Sequence, residues 1–334
     1  MAGMLQPGTQ LRAQPGGPVE VGELIGSGGQ GEVYRVRVDG TEKALKWYFR
    51  EMATAEQRQI IETLVHFGNS DARFLWPEAL VDDPQHDHAL GYLMQLRPAE
   101  FASLPALFRR TVRTTTSALV TACIHLAEGY RALHSRGIAY RDISWGNVFF
   151  APDDGRVLIC DNDNAIFEGQ DSGIAGTLEF MAPELVRGVA HPRTQTDLHS
   201  LAVLLFMVLV NHHPLKGRKE LEIPCLDADA QKRLYGTDPL FVFDPTDHRN
   251  RAEPGEHDHV VAAWKTLPGT IQDLFITAFT DGLHNPEARV RESQWRDALS
   301  RTRDAIVHCA GCGGQNIHDD NRRRQAGEIG RAHV

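Results

Sequence analysis

Apolar residues fall at strand-like spacing in the first hundred positions and at helical spacing in most of the remaining chain. Val21–Ile25 and Val33–Val38 read as two strands separated by Gly26, Gly28 and Gly31. Asp39-Gly40 is hairpin-turn chemistry and introduces a third strand, Lys43–Phe49. Thr54–His66 places Ile60, Ile61, Leu64 and Val65 at helical spacing, and Phe74–Val81 and Ala89–Leu96 read as further strands. The pattern predicts a small antiparallel sheet of about five strands carrying one helix, ending at Arg97-Pro98. Beyond it, Ser117–Arg136 is a long amphipathic helix stopped at Gly137, and Leu198–Val210 is apolar enough to be a buried helix. Val148–Phe150 and Val157–Cys160 read as a hairpin turned at Pro152–Gly155. Residues 1–17, rich in Gly, Pro and Gln, read as a flexible tail, and within an insertion-like stretch, 214–268, residues 234–257 read as loop. The fold class expected is α+β, with an N-terminal part over 18–97 and a mostly helical part over 98–307.

Composition narrows the function. A formal charge of −9 disfavours a nucleic-acid surface, and no apolar run is long enough to span a bilayer. The 16 histidines are scattered without helical metal-ligand spacing, and the five cysteines are too dispersed for a disulfide framework. No export signal is visible, so a cytoplasmic location is the default expectation.

The chemistry gathers around Tyr140–Phe150 (YRDISWGNVFF). The hairpin is expected to bring Asp142, Asn147 and Asp161 to one edge. Two acids and an amide suit phosphoryl transfer, where an acid accepts the proton of an attacking hydroxyl and hard oxygens hold magnesium. The glycine turn lets backbone N–H groups approach phosphate oxygens, and a strand rather than a helix comes after it, which tells against a dinucleotide fold. Lys43 and Lys46 fall on opposite strand faces, and Lys46, among apolar neighbours, is the inward candidate. A buried lysine needs a carboxylate. Glu62, in the apolar part of the helix, is favoured over Glu56 in its polar first turn.

These segments together resemble a eukaryotic-type (Hanks-type) Ser/Thr protein kinase over residues 18–307. The resemblance is carried by Gly26-Ser27-Gly28-Gly29-Gln30-Gly31-Glu32-Val33-Tyr34, Ala44-Leu45-Lys46, Tyr140-Arg141-Asp142 with Asn147, Asp161, Gly176-Thr177, Ala182-Pro183-Glu184 and Thr196–Leu201. It implies a bilobal fold and transfer of the γ-phosphate of ATP to protein serine or threonine, autophosphorylation through a transient homodimer included. Gly26, Gly28, Gly31 and Val33 would cover ATP, with Met94 as gatekeeper and Gln95 and Leu96 in the hinge. Lys46 would grip the phosphates with Glu62 as its partner, Asp142 would be the base, and Asn147 and Asp161 would hold Mg2+, or Mn2+ in its place. Ser172, Thr177 and Glu184 would lie in the activation segment, with Arg289 pairing Glu184 and Asp197 opening the central helix. Arg141 beside Asp142 implies dependence on a phosphate in that segment.

Several positions depart from the pattern. Ser144 replaces a lysine expected near the transferring phosphate, and Asp161-Asn162-Asp163 replaces Asp-Phe-Gly. These departures make a nucleotide-binding scaffold the alternative, while Ala182-Pro183-Glu184 speaks against a small-molecule phosphotransferase. Asp163 adds a second candidate metal ligand. The variant and the 214–268 stretch resemble a bacterial subgroup with a C-terminal zinc ribbon. Cys309-Ala310-Gly311-Cys312 is half of such a site, but no second CxxC is present, so Zn2+ is not expected in this chain. Residues 308–334 therefore read as a truncated ribbon start and a tail, and Ile329–Val334 suggests an artificial end.

Overall fold

The computed structural model describes residues 3–83, 89–167 and 176–318. The chain forms two compact units, Met1–Ala99 with Leu158–Ala165, and Glu100–Val157 with Ile166–Val334.

The first unit contains strands β1 (Gln10–Gln14), β2 (Pro18–Ser27), β3 (Gly31–Val38), β4 (Thr41–Tyr48), β5 (Ala79–Asp82) and β6 (Gly91–Gln95). They pair in the order β1-β2-β3-β4-β6-β5, and β5 returns to β1 to close a barrel. Side chains alternate across a strand, so one parity fills the interior, including Leu11, Val21, Val36, Leu45, Trp47 and Leu93. The other parity of β4, Ala44, Lys46 and Tyr48, is buried as well. It lies on the outer face of the barrel, beneath helix α1 (Ala55–Phe67) and Leu158–Ala165. Thr54 caps α1 by accepting the N–H of Gln57 at 3.1 Å, and Gly68, at φ 76°, ends it.

Part of the expected tail is structural. Gln10–Gln14 form β1, whose Leu11 and Ala13 point into the core. Two apolar residues between glycines and prolines are too short a run for periodicity to register. Leu11→Ala is expected to destabilise this unit by about 2–4 kcal/mol, as a large-to-small core substitution does. A lower denaturation midpoint checks this; a tail residue would leave it unchanged.

The second unit carries β7 (Ala102–Ser103), α2 (Leu104–Phe108), α3 (Thr116–His134), β8 (Ile138–Ala139), β9 (Val148–Phe150) and β10 (Val157–Ile159), which leads into the first unit's Leu158–Ala165. Next come β11 (Ile166–Phe167), α4 (Pro183–Val186), α5 (Thr194–Val210), α6 (Arg218–Leu221), α7 (Ala228–Lys232) and α8 (Asp258–Thr266). Helices α9 (Gly269–Phe279), α10 (Asp281–His284) and α11 (Glu292–Asp304) and the hairpin β12 (Ile306–His308) and β13 (Gln315–Ile317) complete it. Helix α5 is apolar on nearly every side and buries Leu201, Leu204, Leu205 and Phe206 completely. The 214–268 stretch holds the residues read as loop, 234–257, as short π and 3-10 turns between helices. It contributes α6–α8, and Phe243 stacks on Trp264 at 4.5 Å while Phe241 meets Phe206 edge-on at 5.8 Å. Buried Asn250 donates to the carbonyls of Leu215 and Leu240 at 2.9 and 2.7 Å.

His134, the last residue of α3, ties three helices together. Its ring meets Asp197 of α5 at 3.1 Å and Glu292 of α11. Burial alone would favour the neutral ring, but the two carboxylates outweigh it and raise the pKa to about 9. Because the folded value lies above the unfolded one, the contribution is complete below about pH 6.5 and fades as pH rises through about 9. Up to about 3 kcal/mol of stability is therefore expected to disappear over that range. Thermal unfolding against pH checks this, and His134→Gln should flatten the profile. Among the described residues no helix is long and apolar enough to cross a membrane.

Candidate active site

In the first unit, Lys46 sits opposite Val33 on β3 and Tyr92 on β6, and opposed residues of antiparallel strands share a face. Its ammonium donates to both oxygens of Asp163, at 3.0 and 2.8 Å, and to Gln30 Oε1 at 2.8 Å. Asp161 Oδ1 stands 3.6 Å away. The hydroxyls of Tyr92, at 3.1 Å, and Tyr48 also donate to Asp163. Burial opposes charge on both partners. The attraction of Asp163 and Asp161 nevertheless raises Lys46, and the ammonium with its hydrogen bonds lowers Asp163, so the pair is ionised.

The lysine's partner is thus Asp163 and not Glu62. Helix α1 turns about 100° per residue, so its buried side runs Gln57, Ile61, Leu64 and Glu62 falls on the exposed side. Glu56 is exposed too. The helix reaches this cluster through Gln57, whose amide donates to Tyr48 Oη at 3.0 Å. Sequence reasoning missed Tyr48 and Tyr92. The signal was available in their strand parity, which matches that of Lys46.

Asp161 occupies the left-handed region at φ 54°, with its side chain 43% exposed. The next residue, Asn162, is fully buried and donates to the carbonyls of Leu75 and Ile159 at 2.8 and 3.0 Å. These hydrogen bonds to backbone fix the turn. The glycine turn joins β2 to β3, and Gly28 N–H donates to Gly31 O at 2.9 Å. A Cβ on Gly31 would meet Trp47 O at 2.1 Å, whereas Gly28 has open space around it. Gly26 pairs with Val33 across the two strands. Met94 is buried opposite Ala44, Gln95 is exposed opposite Lys43, and Leu96 is half-buried.

In the second unit, Asp142 Oδ1 accepts the N–H and the hydroxyl of Thr177 at 2.8 and 2.7 Å. Asn147 donates to Asp142 Oδ2 and to its carbonyl at 3.0 and 2.9 Å, which turns the Asn147 amide oxygen away from the acid. Gly176 has φ 73°, and a Cβ there would lie 2.6 Å from Arg141 O. Arg141 is itself left-handed at φ 73°, and its N–H donates to Asp197 at 3.1 Å. Ser144 is buried. Arg289 grips Glu184 with two parallel bonds of 2.8 and 2.7 Å and also donates to the carbonyls of Gly282 and Gln195. Ser172 lies outside the described residues.

The donor set fits a nucleotide carrying a hard cation. The Lys46–Asp163 pair balances its own charge, which leaves the exposed carboxylate of Asp161 as the excess negative charge beside it. Asp161 in the first unit offers carboxylate oxygen, the atom type magnesium takes together with phosphate, and Asn147 in the second offers its amide oxygen. The open space at Gly28 and Gly29 leaves room for a phosphate to approach the turn backbone. At the C-terminal end, Cys309 and Cys312 sit in the β12–β13 turn, where the N–H groups of Gly311 and Cys312 lower the pKa of the Cys309 thiol. Among the described residues no cluster of three or more His, Cys, Asp or Glu side chains is arranged for a metal.

The protein kinase domain model matches residues 19–262, and the chain belongs to that family. Its relatives include the probable serine/threonine-protein kinase CCRP1 of Zea mays, 28% identical over 204 residues, or 58% of this chain and 32% of that protein. The probable serine/threonine-protein kinase WNK9 of Oryza sativa subsp. japonica is 26% identical over 226 residues, 61% of this chain and 50% of that protein. Protein kinase C delta type of Mus musculus is 35% identical over 99 residues, 28% of this chain and 14% of that protein. The chain therefore spans half or less of these curated relatives' own length.

Proposed function

We propose that this chain transfers the γ-phosphate of ATP to serine or threonine hydroxyls of a protein substrate. The observation that carries the reading is the surroundings of Asp142, a carboxylate that receives an alcohol O–H from Thr177 at 2.7 Å. A substrate hydroxyl bound in that manner would pass its proton to Asp142 as its oxygen attacks phosphorus. Lys46 binds the α- and β-phosphates, and the glycine-turn backbone covers them. Asp161 in the first unit and Asn147 in the second are the residues that would hold Mg2+, which would neutralise phosphate charge. The Glu184–Arg289 pair fixes the start of α4 and supports a peptide platform rather than a small-molecule site. Autophosphorylation through a transient encounter of two copies belongs to the same reading. So does membership of a bacterial subgroup bearing a zinc-ribbon start, which the Cys309–Cys312 turn supports.

The competing reading, a nucleotide-binding scaffold, rests on buried Ser144, which removes a cation from beside the phosphate. Incubation with labelled ATP, Mg2+ and a generic protein acceptor separates the two. Label on protein, abolished by chelation of the metal, is expected. Bound nucleotide without transfer would establish the scaffold instead.

A further inference from the structure

We infer that Asp163 is the residue that positions Lys46 for the nucleotide phosphates, so that the lysine's anchor sits in the same turn as the metal-binding Asp161 and not on helix α1. The inference rests on the proposed function for the meaning of Lys46, and on geometry for the rest.

Asp163 has no exposed side-chain surface, and Lys46 has 5%. A carboxylate offers about four acceptor positions. Here Oδ1 takes Lys46 and Tyr92, and Oδ2 takes Lys46 and Tyr48. All four positions are filled, which removes Asp163 as a second metal ligand. The two acids of the Asp161-Asn162-Asp163 turn therefore divide the work. The exposed one faces the cation and the buried one fixes the ammonium. Asn162 pins the turn between them through Leu75 and Ile159.

The arrangement has a functional consequence. With the anchor on α1, rotating the helix would release the lysine. With the anchor at Asp163, only displacement of the turn does so, and the same displacement withdraws the metal ligand. Among the described residues the helix reaches the hydrogen-bonded cluster through Gln57, at second hand by way of Tyr48.

The test uses the full chain and two readouts, the dissociation constant for ATP with Mg2+ and the split between kcat and the KM for ATP. Asp163→Asn is expected to weaken ATP binding and raise KM by about 10- to 100-fold, as for the loss of a charge-assisted contact. Glu62→Gln should leave both within about two-fold. A merely structural role for Asp163 would lower the melting temperature yet leave ATP affinity in the folded protein unchanged, and would overturn the inference. A tenfold or larger rise in KM for Glu62→Gln would also overturn it. Should Asp163→Asn not fold, Tyr92→Phe removes one donor to Asp163 and keeps the ring; a several-fold rise in KM is expected, and an unchanged KM would contradict the assignment. Because ATP binding is read without turnover, absence of phosphate transfer in the wild type would count against the proposed function and leave this inference standing on its own data.

Discussion

Asp142→Asn is expected to keep the fold and slow phosphate transfer by about 10²–10⁴-fold, the usual worth of a positioned general base. The substitution preserves shape. The side chain is half-buried, and a carbonyl oxygen at the same place can still accept from Thr177 N–H and Oγ1. The capacity to take a proton from the attacking hydroxyl disappears. ATP affinity should stay close to that of the wild type, because Lys46 and Asp161 are untouched. A steady-state assay with ATP titration checks the loss in kcat, and equal melting temperatures check that the fold survives. Unchanged kcat would remove Asp142 from the chemistry.

The second large effect concerns stability. Arg289→Ala is expected to destabilise the second unit by about 3–5 kcal/mol, as removing one partner of a buried pair does. The guanidinium satisfies both oxygens of Glu184 and the carbonyls of Gly282 and Gln195, and it is 2% exposed. Its loss strands a buried carboxylate and two carbonyls together. Denaturant unfolding measures the change. Replacing both partners, as Glu184→Met with Arg289→Met, should cost less than the single change, because no buried charge is then left alone.

The division between residues legible in the sequence and residues hidden in it is one of range. The contact of Asn147 with Asp142 was legible because both lie in one stretch, with spacing fixed by a short turn. Lys46 was legible from parity on β4. Its partner was not, because pairing it with Glu62 assumed that a charge near apolar residues in sequence shares their face. Glu62 comes directly after Ile61, and a step of one residue on a helix swings the side chain outward. The true partner, Asp163, is 117 residues from Lys46 in the chain. Strand β1 was hidden because its only inward residues are Leu11 and Ala13, and because its value lies in joining β2 to β5. Residues 234–257 read as loop for their Gly, Pro and Asp content and are irregular, yet Phe241 and Phe243 bind them to the aromatic cluster around Phe206. Composition records the turns; the long-range ring contacts leave no periodic trace.

The central claim is that phosphate moves from ATP to a protein hydroxyl under the control of Asp142. The most direct measurement is mass spectrometry of the purified chain and a protein acceptor after incubation with ATP and Mg2+, run beside Asp142→Asn. The account expects phosphate on serine or threonine of the wild-type reaction and none above background in the variant. Phosphate at equal levels in both, or in neither while ATP remains bound, would contradict it.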